Sequence, residues 1–415
     1  MSYRLLDIEL QEPLPCLAFD VQHTGVAVLV RRGGRPVGFW MEGLPNTQLD
    51  RDWLAERIGA HAGAALVRDA IREEMVACAA TPPRRSLTIA ICTKDRPEWL
   101  QRCLSSVRAL LRSDEVSDVE VLVVDNASSS ERPRKVAEAM KDIRYVAEPR
   151  PGLDFARNRA LHASTSDWIA FLDDDVVVDR GWLNGLVEAW SEHPDAAAVT
   201  GLILPYALET RAQQLFEANG GFRRGFSKVR YHGPSMPGNP LYPLGAGIFG
   251  AGANMAFRRD VLLTLGGFDE ALDTGAPLPG GGDLDIFYRV LRAGHALVYE
   301  PTALVFHEHR RAMDALRRQY ESWGRGFLAF LEKVERGEPE QQAKVKAMRR
   351  WWFKHNSRRL VSSVLGLHVL PPSMILAELR GGLRGLSGEY ERSHERSDEI
   401  RRRFASRNIP PESMS

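Results

Sequence analysis

The stretch AFLDDDVVVDRGW, residues 170–182, drives an apolar strand into three adjacent carboxylates, Asp173, Asp174 and Asp175. Its upstream part, DWIAFL (167–172), is apolar at every position after the first, as expected of a strand covered by helices on both faces. Three neighbouring carboxylates repel one another, so a chain that places them at a strand end anticipates positive charge between them. A hard divalent ion meets that need, because carboxylate oxygens suit Mg2+ or Mn2+, and the matching ligand is a metal-bridged diphosphate. The plain alternative is a solvated acidic turn.

Strand-then-helix units repeat on both sides of this turn. LTIAIC (87–92) precedes the helical TKDRPEWLQRCLSSVRALL, in which Asp95 and Glu98 have capping-box spacing and Pro97 suits a first turn. VEVLVV (119–124) ends at Asp125 and leads through ASSS to ERPRKVAEAMK. IRYVAEP is followed by GLDFARNRALHAST, and DRGWLNGLVEAWSEH by AAAVTGLIL. The pattern predicts an α/β fold with an open, mostly parallel sheet and crossover helices. Ligands bind such sheets beyond the carboxyl ends of the strands, so Thr93, Asp125 and the acidic triplet should line one crevice. Residues 205–250 read as long loops.

The flanks differ in character. Residues 1–80 are expected to form a small α+β accessory domain, with a hairpin in GVAVLVRRGGRPVGFW turning at Gly33-Gly34. TPPRRS (81–86) reads as a linker, 87–310 as the main domain, and 311–415 as a helical, basic extension. With 415 residues, 44% hydrophobic content and a net charge of +1, the chain can bury a core and offers no global field to nucleic acid. Cys16, Cys78, Cys92 and Cys103 show neither CxxC spacing nor a disulfide framework, which fits a reducing cytoplasm. No signal peptide and no apolar run of about 20 residues stands out, so a cytoplasmic protein without a transmembrane helix is expected.

Four ordered elements, LTIAICTKDRPEWLQRCLSSV, VLVVDNAS, GLDFARNRAL…WIAFLDDD and GGFDE…GGGDLDIFYRVLRAGH…VFHEH, resemble the family 2 glycosyltransferases, inverting enzymes of the GT-A fold, from about Leu87 to Arg310. The resemblance implies metal-dependent transfer from a nucleotide-diphosphate sugar, taken as a UDP-sugar, to an acceptor hydroxyl. It puts Asp173-Asp174-Asp175 at the family's DxD motif, with Asp175 on Mn2+ or Mg2+, Asp173 near the ribose or metal waters, and Asp174 in the nucleotide-sugar set. Thr93 and Asp125 take the positions that hold the base, and Arg157 the nucleotide. His307 and His309 end a strand at spacing two and face one way; the family implies that His307 completes the metal site, with His309 behind it or toward acceptor. Asp283 is the implied base that deprotonates the acceptor. Asp285 is a second carboxylate, an acceptor-side or supporting candidate. Gly282 departs from the Glu-Asp pair commoner in the family.

Other readings have specific signatures. Gly282 raises a nucleotide-sugar-binding protein without catalysis. LDDDVV also fits the nucleophile motif of haloacid-dehalogenase-like phosphatases, but that motif closes the first strand of its domain, and here about three units precede it. The acceptor is expected to be a carbohydrate, a lipid-linked molecule or a small molecule, with no nucleic acid. Basic residues around Trp351, Trp352 and Phe353 in 344–370 suit a peripheral contact on the inner face of a membrane; the alternative is a helix packing its aromatics inward.

Overall fold

A computed structural model describes residues 2–20, 22–44, 48–75, 85–113, 118–272 and 278–405. Cys78 and positions 81–84 of the expected linker lie outside the described residues. The chain opens with β1 (Ser2–Glu9), β2 (Leu17–Ala18), β3 (His23–Arg32), β4 (Arg35–Gly43), β5 (Gln48–Leu49) and α1 (Arg51–Met75). β3 and β4 form the expected hairpin, and Gly33 and Gly34 at its turn both have positive φ. β1 joins β3 in parallel.

The main domain alternates β6 (Leu87–Thr93), α2 (Pro97–Ser113), β7 (Val119–Asn126), α3 (Arg132–Glu138), β8 (Ile143–Glu148), α4 (Leu153–Ala163) and β9 (Trp168–Asp173). It continues through β10 (Val176–Val178), α5 (Trp182–Glu192), β11 (Ala196–Pro205), α6 (Arg211–Ala218), β12 (Val229–His232), β13 (Asn254–Arg258), α7 (Arg259–Thr264), α8 (Gly282–Arg292) and β14 (Ala296–His307). The large sheet runs β10-β14-β11-β13-β9-β6-β7-β8, with β12 also on β14. β8, β7, β6, β9, β11 and β14 point one way, whereas β13, β10 and β12 are reversed. β11 therefore does not sit directly beside β9; β13 is inserted antiparallel between them.

β9 shows why the apolar run reads as a doubly covered strand. Trp168, Ala170 and Leu172 enter one core with Trp182 and Trp190, while Ile169 and Phe171 enter the opposite core with Phe257 and Phe287. Each fully buried large side chain contributes about 1.5–3 kcal/mol of transfer free energy, so both layers hold the strand, and its end, in place.

Two expectations need correction. Residues 205–250 are not only loops: they contain α6, opened by a capping box between Thr210 and Gln213, and β12. Asp95 does not cap α2, because Pro97 starts that helix and leaves Asp95 one residue too early; at φ +54° its Oδ1 accepts from Ser129 N at 2.7 Å and Ser129 Oγ at 2.9 Å, tying down the loop after β7.

After β14 the described residues form four helices: α9 (Met313–Gly337), α10 (Gln342–Val364), α11 (Pro372–Gly385) and α12 (Glu389–Ala405). Trp352 is buried with Leu244, Tyr288, Phe330 and Met348, so this aromatic packs inward. No helix among the described residues is long and apolar enough to cross a membrane.

Candidate active site

β9 stops at Asp173, and two turn residues later β10 pairs antiparallel with β14, setting Val176 opposite His307. Glu308 N donates to the Asp175 carbonyl at 3.0 Å, which extends this pairing by one step. Strand register alone thus brings the acidic turn and the two histidines to the same place.

The three carboxylates are not equivalent. Asp174 Oδ2 accepts from Thr93 Oγ1 at 2.8 Å and its Oδ1 from Arg96 Nη1 at 3.1 Å. Thr93 and Asp174 therefore occupy each other, and burial pushes the Asp174 carboxyl up to about 7 despite Arg96. Asp175 Oδ2 lies 3.3 Å from Arg96 Nη1, but its buried Oδ1 has no hydrogen-bond partner among the described residues. Asp173 is more exposed, with Arg157 Nη2 at 3.7 Å. Burial raises the pKa of both Asp173 and Asp175, and for Asp173 the charge of Asp175 adds to it.

Behind Asp175 runs a buried relay. His309 Nε2 is 3.0 Å from Glu217 Oε2, and His309 Nδ1 is 3.0 Å from His307 Nδ1. A carboxylate can only accept, so the shared proton belongs to His309 Nε2; with His309 neutral, its Nδ1 accepts from His307 Nδ1–H. The remaining nitrogen, His307 Nε2, then presents a lone pair 3.4 Å from Asp175 Oδ1. Burial pushes the His307 imidazole down to about 3, so it carries no charge of its own to meet that carboxylate. When Asp175 is ionised, two acceptors face each other, and a cation between them resolves the conflict.

The donor chemistry fits a divalent ion held jointly with substrate. Among the described residues, no group of three or more His, Cys, Asp or Glu is drawn together as a complete cage. Mg2+ and Mn2+ sites that act on diphosphates commonly use few protein ligands and complete their shell with waters and phosphate oxygens. An imidazole nitrogen beside carboxylate favours Mn2+ within that pair.

Asp283 sits in the first turn of α8, where its Oδ1 accepts from Leu284 N at 2.9 Å and its Oδ2 from Gly252 N at 3.1 Å. Gly281, at φ +119°, supplies a left-handed entry to this helix that other residues adopt only with strain. The Gly252 carbonyl in turn accepts from Arg157 Nη2 at 3.4 Å, and Arg157 reaches Asp173. Asp283 and the acidic turn are therefore linked through the backbone of Gly252 and one buried arginine. Gly282 has a steric reason: a Cβ there would come 2.1 Å from Asp154 Oδ2, and Asp154 is buried and paired with Arg157 Nη1 at 3.0 Å. A carboxylate from α4 already fills that space.

Asp125 lies at the end of β7, next to Thr93 in register, and accepts from Tyr145 OH at 2.9 Å and from Ser128 Oγ. Asp285 does not join this network; Lys333 at 2.6 Å and Arg289 at 2.7 Å take both of its oxygens, so it joins α8 to α9. The structure adds three residues that sequence reasoning did not single out: Arg96 over the acidic turn, Asp154 beside Gly282, and Glu217 behind His309. Glu217 had a signal, since the Thr210–Gln213 capping box marks the helix that carries it.

Comparison with known proteins agrees with this architecture. The glycosyl transferase family 2 model matches residues 88–266. A pre-mycofactocin glycosyltransferase of Mycobacterium tuberculosis is 29% identical over 231 residues, covering 55% of this chain and 44% of that protein. The succinoglycan biosynthesis protein ExoM of Rhizobium meliloti is 30% identical over 224 residues, covering 53% and 65%. The chain thus spans about half to two thirds of the length of these relatives. Among solved structures, a mannosyltransferase from Pyrobaculum calidifontis in complex with GDP-Man and Mn2+ aligns at 17% identity and a TM-score of 0.45 over 81% of this chain and 94% of that one, a likeness too loose for assigning ligands. Residues 88–266, which include the strand-end carboxylates Asp125 and Asp173 to Asp175, are thus similar to the glycosyl transferase family 2 domain.

Proposed function

We propose that the chain is an inverting glycosyltransferase that moves a sugar from a nucleotide-diphosphate sugar, a UDP-sugar, to an acceptor hydroxyl with the help of Mn2+ or Mg2+. The observation that supports this most is the facing pair of His307 Nε2 and Asp175 Oδ1, joined through Asp173, Arg157 and Gly252 to Asp283.

Asp175 and His307 would hold the metal, which supplies Lewis-acid neutralisation of charge on the departing diphosphate. Arg96 adds a fixed positive charge at the same turn and exerts the same pull on phosphate oxygens. Thr93 and Arg96 hold Asp174 so that its charge faces the turn. Asp125 accepts the ring N–H of the base, with Tyr145 and Ser128 fixing its orientation. Arg157, neutralised on one side by Asp154, keeps Asp173 toward the ribose. Asp283, fixed by two backbone N–H groups, takes the proton from the acceptor hydroxyl as that oxygen attacks the anomeric carbon opposite the diphosphate. The free thiols of Cys92 and Cys103 suit a reducing, cytoplasmic setting.

A thermal-shift screen of nucleoside diphosphates and nucleotide-sugars, with and without Mn2+, tests the donor assignment. A ligand at about 100 times its Kd adds about 2.7 kcal/mol of stability, enough for a shift of several degrees. UDP with Mn2+ is expected to give the shift. The absence of a shift with every nucleotide would refute the reading, and a shift without transfer to any acceptor would favour a silent binder.

A further inference from the structure

The α10–α11 hairpin carries a surface that neither the core nor the crevice explains. Val361, Val364, Leu365, Leu367, Val369 and Leu376 are each more than half exposed, the highest being Leu367 at 79%. They form a clustered tip instead of the scattered single exposures found on any protein surface. The tip is fixed: Leu367 N donates to Ser362 O at 2.8 Å, Ser363 Oγ to Leu370 O at 2.6 Å, and Leu370 N to His368 Nδ1 at 3.0 Å. Leu370 itself is fully buried against α6 and α9. The aliphatic side chains therefore project from a rigid, anchored turn.

Charge supplies the second observation. Residues 341–377 contain seven Lys and Arg and no Asp or Glu. Arg349 and Arg359 are spent on Glu335 and Glu378, and Lys344 on the Tyr242 carbonyl. Lys346, Arg350, Lys354 and Arg358 are exposed, and no acidic partner is found for them among the described residues. Their spacing of four puts them on one helical stripe, which continues through Val361 and Leu365 into the apolar tip. Trp351, half exposed and stacked on His355 at 5.0 Å, stands beside that stripe.

We propose that this tip docks on an anionic lipid surface, its aliphatic side chains entering the headgroup boundary while the basic stripe meets lipid phosphates. A basic stripe running into an apolar end is what such an interface selects. A second copy of the chain fits poorly, because a two-fold contact through the tip would bring like charges together. The proposal concerns where the chain sits and not which sugar it moves, so its failure would leave the transferase reading untouched.

Flotation of the full chain with vesicles tests it, using neutral phosphatidylcholine against the same lipid with about 30% phosphatidylglycerol. The chain should float only with the anionic vesicles and be released by salt. V364S/L367S should weaken binding by roughly tenfold, and K354E/R358E by at least as much while removing the salt dependence. All four positions are exposed, and unchanged circular dichroism and melting will confirm folding. Failure of the wild-type chain to float, or flotation that neither double variant alters, would overturn the proposal. So would light scattering that shows a wild-type dimer which V364S/L367S converts to monomer.

Discussion

At the scale of single residues, the site depends on which nitrogen and which oxygen are left over. With Glu217 ionised and His309 neutral, the proton on His309 Nε2 places that of His307 on Nδ1, and His307 Nε2 then faces Asp175 with a lone pair. Glu217→Gln can donate where the carboxylate could only accept, so the relay loses its direction. Affinity for Mn2+ in the presence of UDP, read by titration calorimetry or by the Mn2+ spin signal, should fall by about tenfold or more, as is usual when a partner behind a ligand is removed. UDP affinity without metal should change little, and equal Mn2+ affinity in both proteins would show the relay to be structural only. Gly282 makes the opposite case. Gly282→Glu, which would restore the residue commoner in the family, should lower the melting temperature by an overpacking cost of about 1–3 kcal/mol and should not raise transfer, because Asp154 already occupies that volume.

Elements decide how much of this was legible beforehand. Strands β6, β7 and β9 and the acidic turn follow from apolar runs that end in polar residues, since each run is buried on two faces and its end must meet water or ligand, whereas β8, IRYVAE at the sheet edge, is only partly buried. The insertion of β13 between β9 and β11 has no local signature, because an antiparallel partner is chosen by pairing across the sheet and not by its own sequence. Arg157 and Asp283 could be marked by resemblance, yet their connection runs through the backbone N–H and C=O of Gly252, which no side-chain pattern encodes. Asp285 was a candidate by proximity in sequence, but helical geometry turns it to Lys333 of α9. α9 and α11 pack so closely that a Cβ on Gly381 would come 1.9 Å from the Glu321 carbonyl, and one on Gly324 2.0 Å from that of Glu378. Gly381→Ala should therefore cost about 1–3 kcal/mol or more in chemical denaturation by forcing two backbones apart. A variant as stable as the parent would mean that these helices are not held at that distance.

Across the whole molecule, the N-terminal sheet is joined to the main domain by packing and by charge. Ala27, Leu29 and Phe39 share a core with Leu202, Leu204, Tyr299 and Leu304, while Arg31, nearly fully buried, bridges Asp7 and Asp179. Arg35 grips Glu188 of α5 with two bonds of 2.6 and 3.1 Å, and Lys228 adds a third at 3.0 Å. Burial pushes the Glu188 carboxyl up, but Arg35 and Lys228 outweigh it and bring it down from 4.5 to about 2. The folded group thus titrates below the unfolded one, so the bridge is fully stabilising above about pH 4.5 and its contribution, of order 1–3 kcal/mol, is lost as the pH falls toward 2. Melting temperature measured down that window should drop more steeply for the parent than for Glu188→Gln, which is less stable at neutral pH; parallel curves would contradict the assignment.

Donor and acceptor chemistry meet in the proposed reaction at Asp283, whose carboxylate is held by Leu284 N and Gly252 N. Transfer and donor affinity measured on the same Asp283→Asn protein separate acceptor activation from donor binding. The account predicts UDP–Mn2+ affinity within about twofold of the parent and transfer reduced by about 10²–10⁴. Transfer at the parental rate would contradict it.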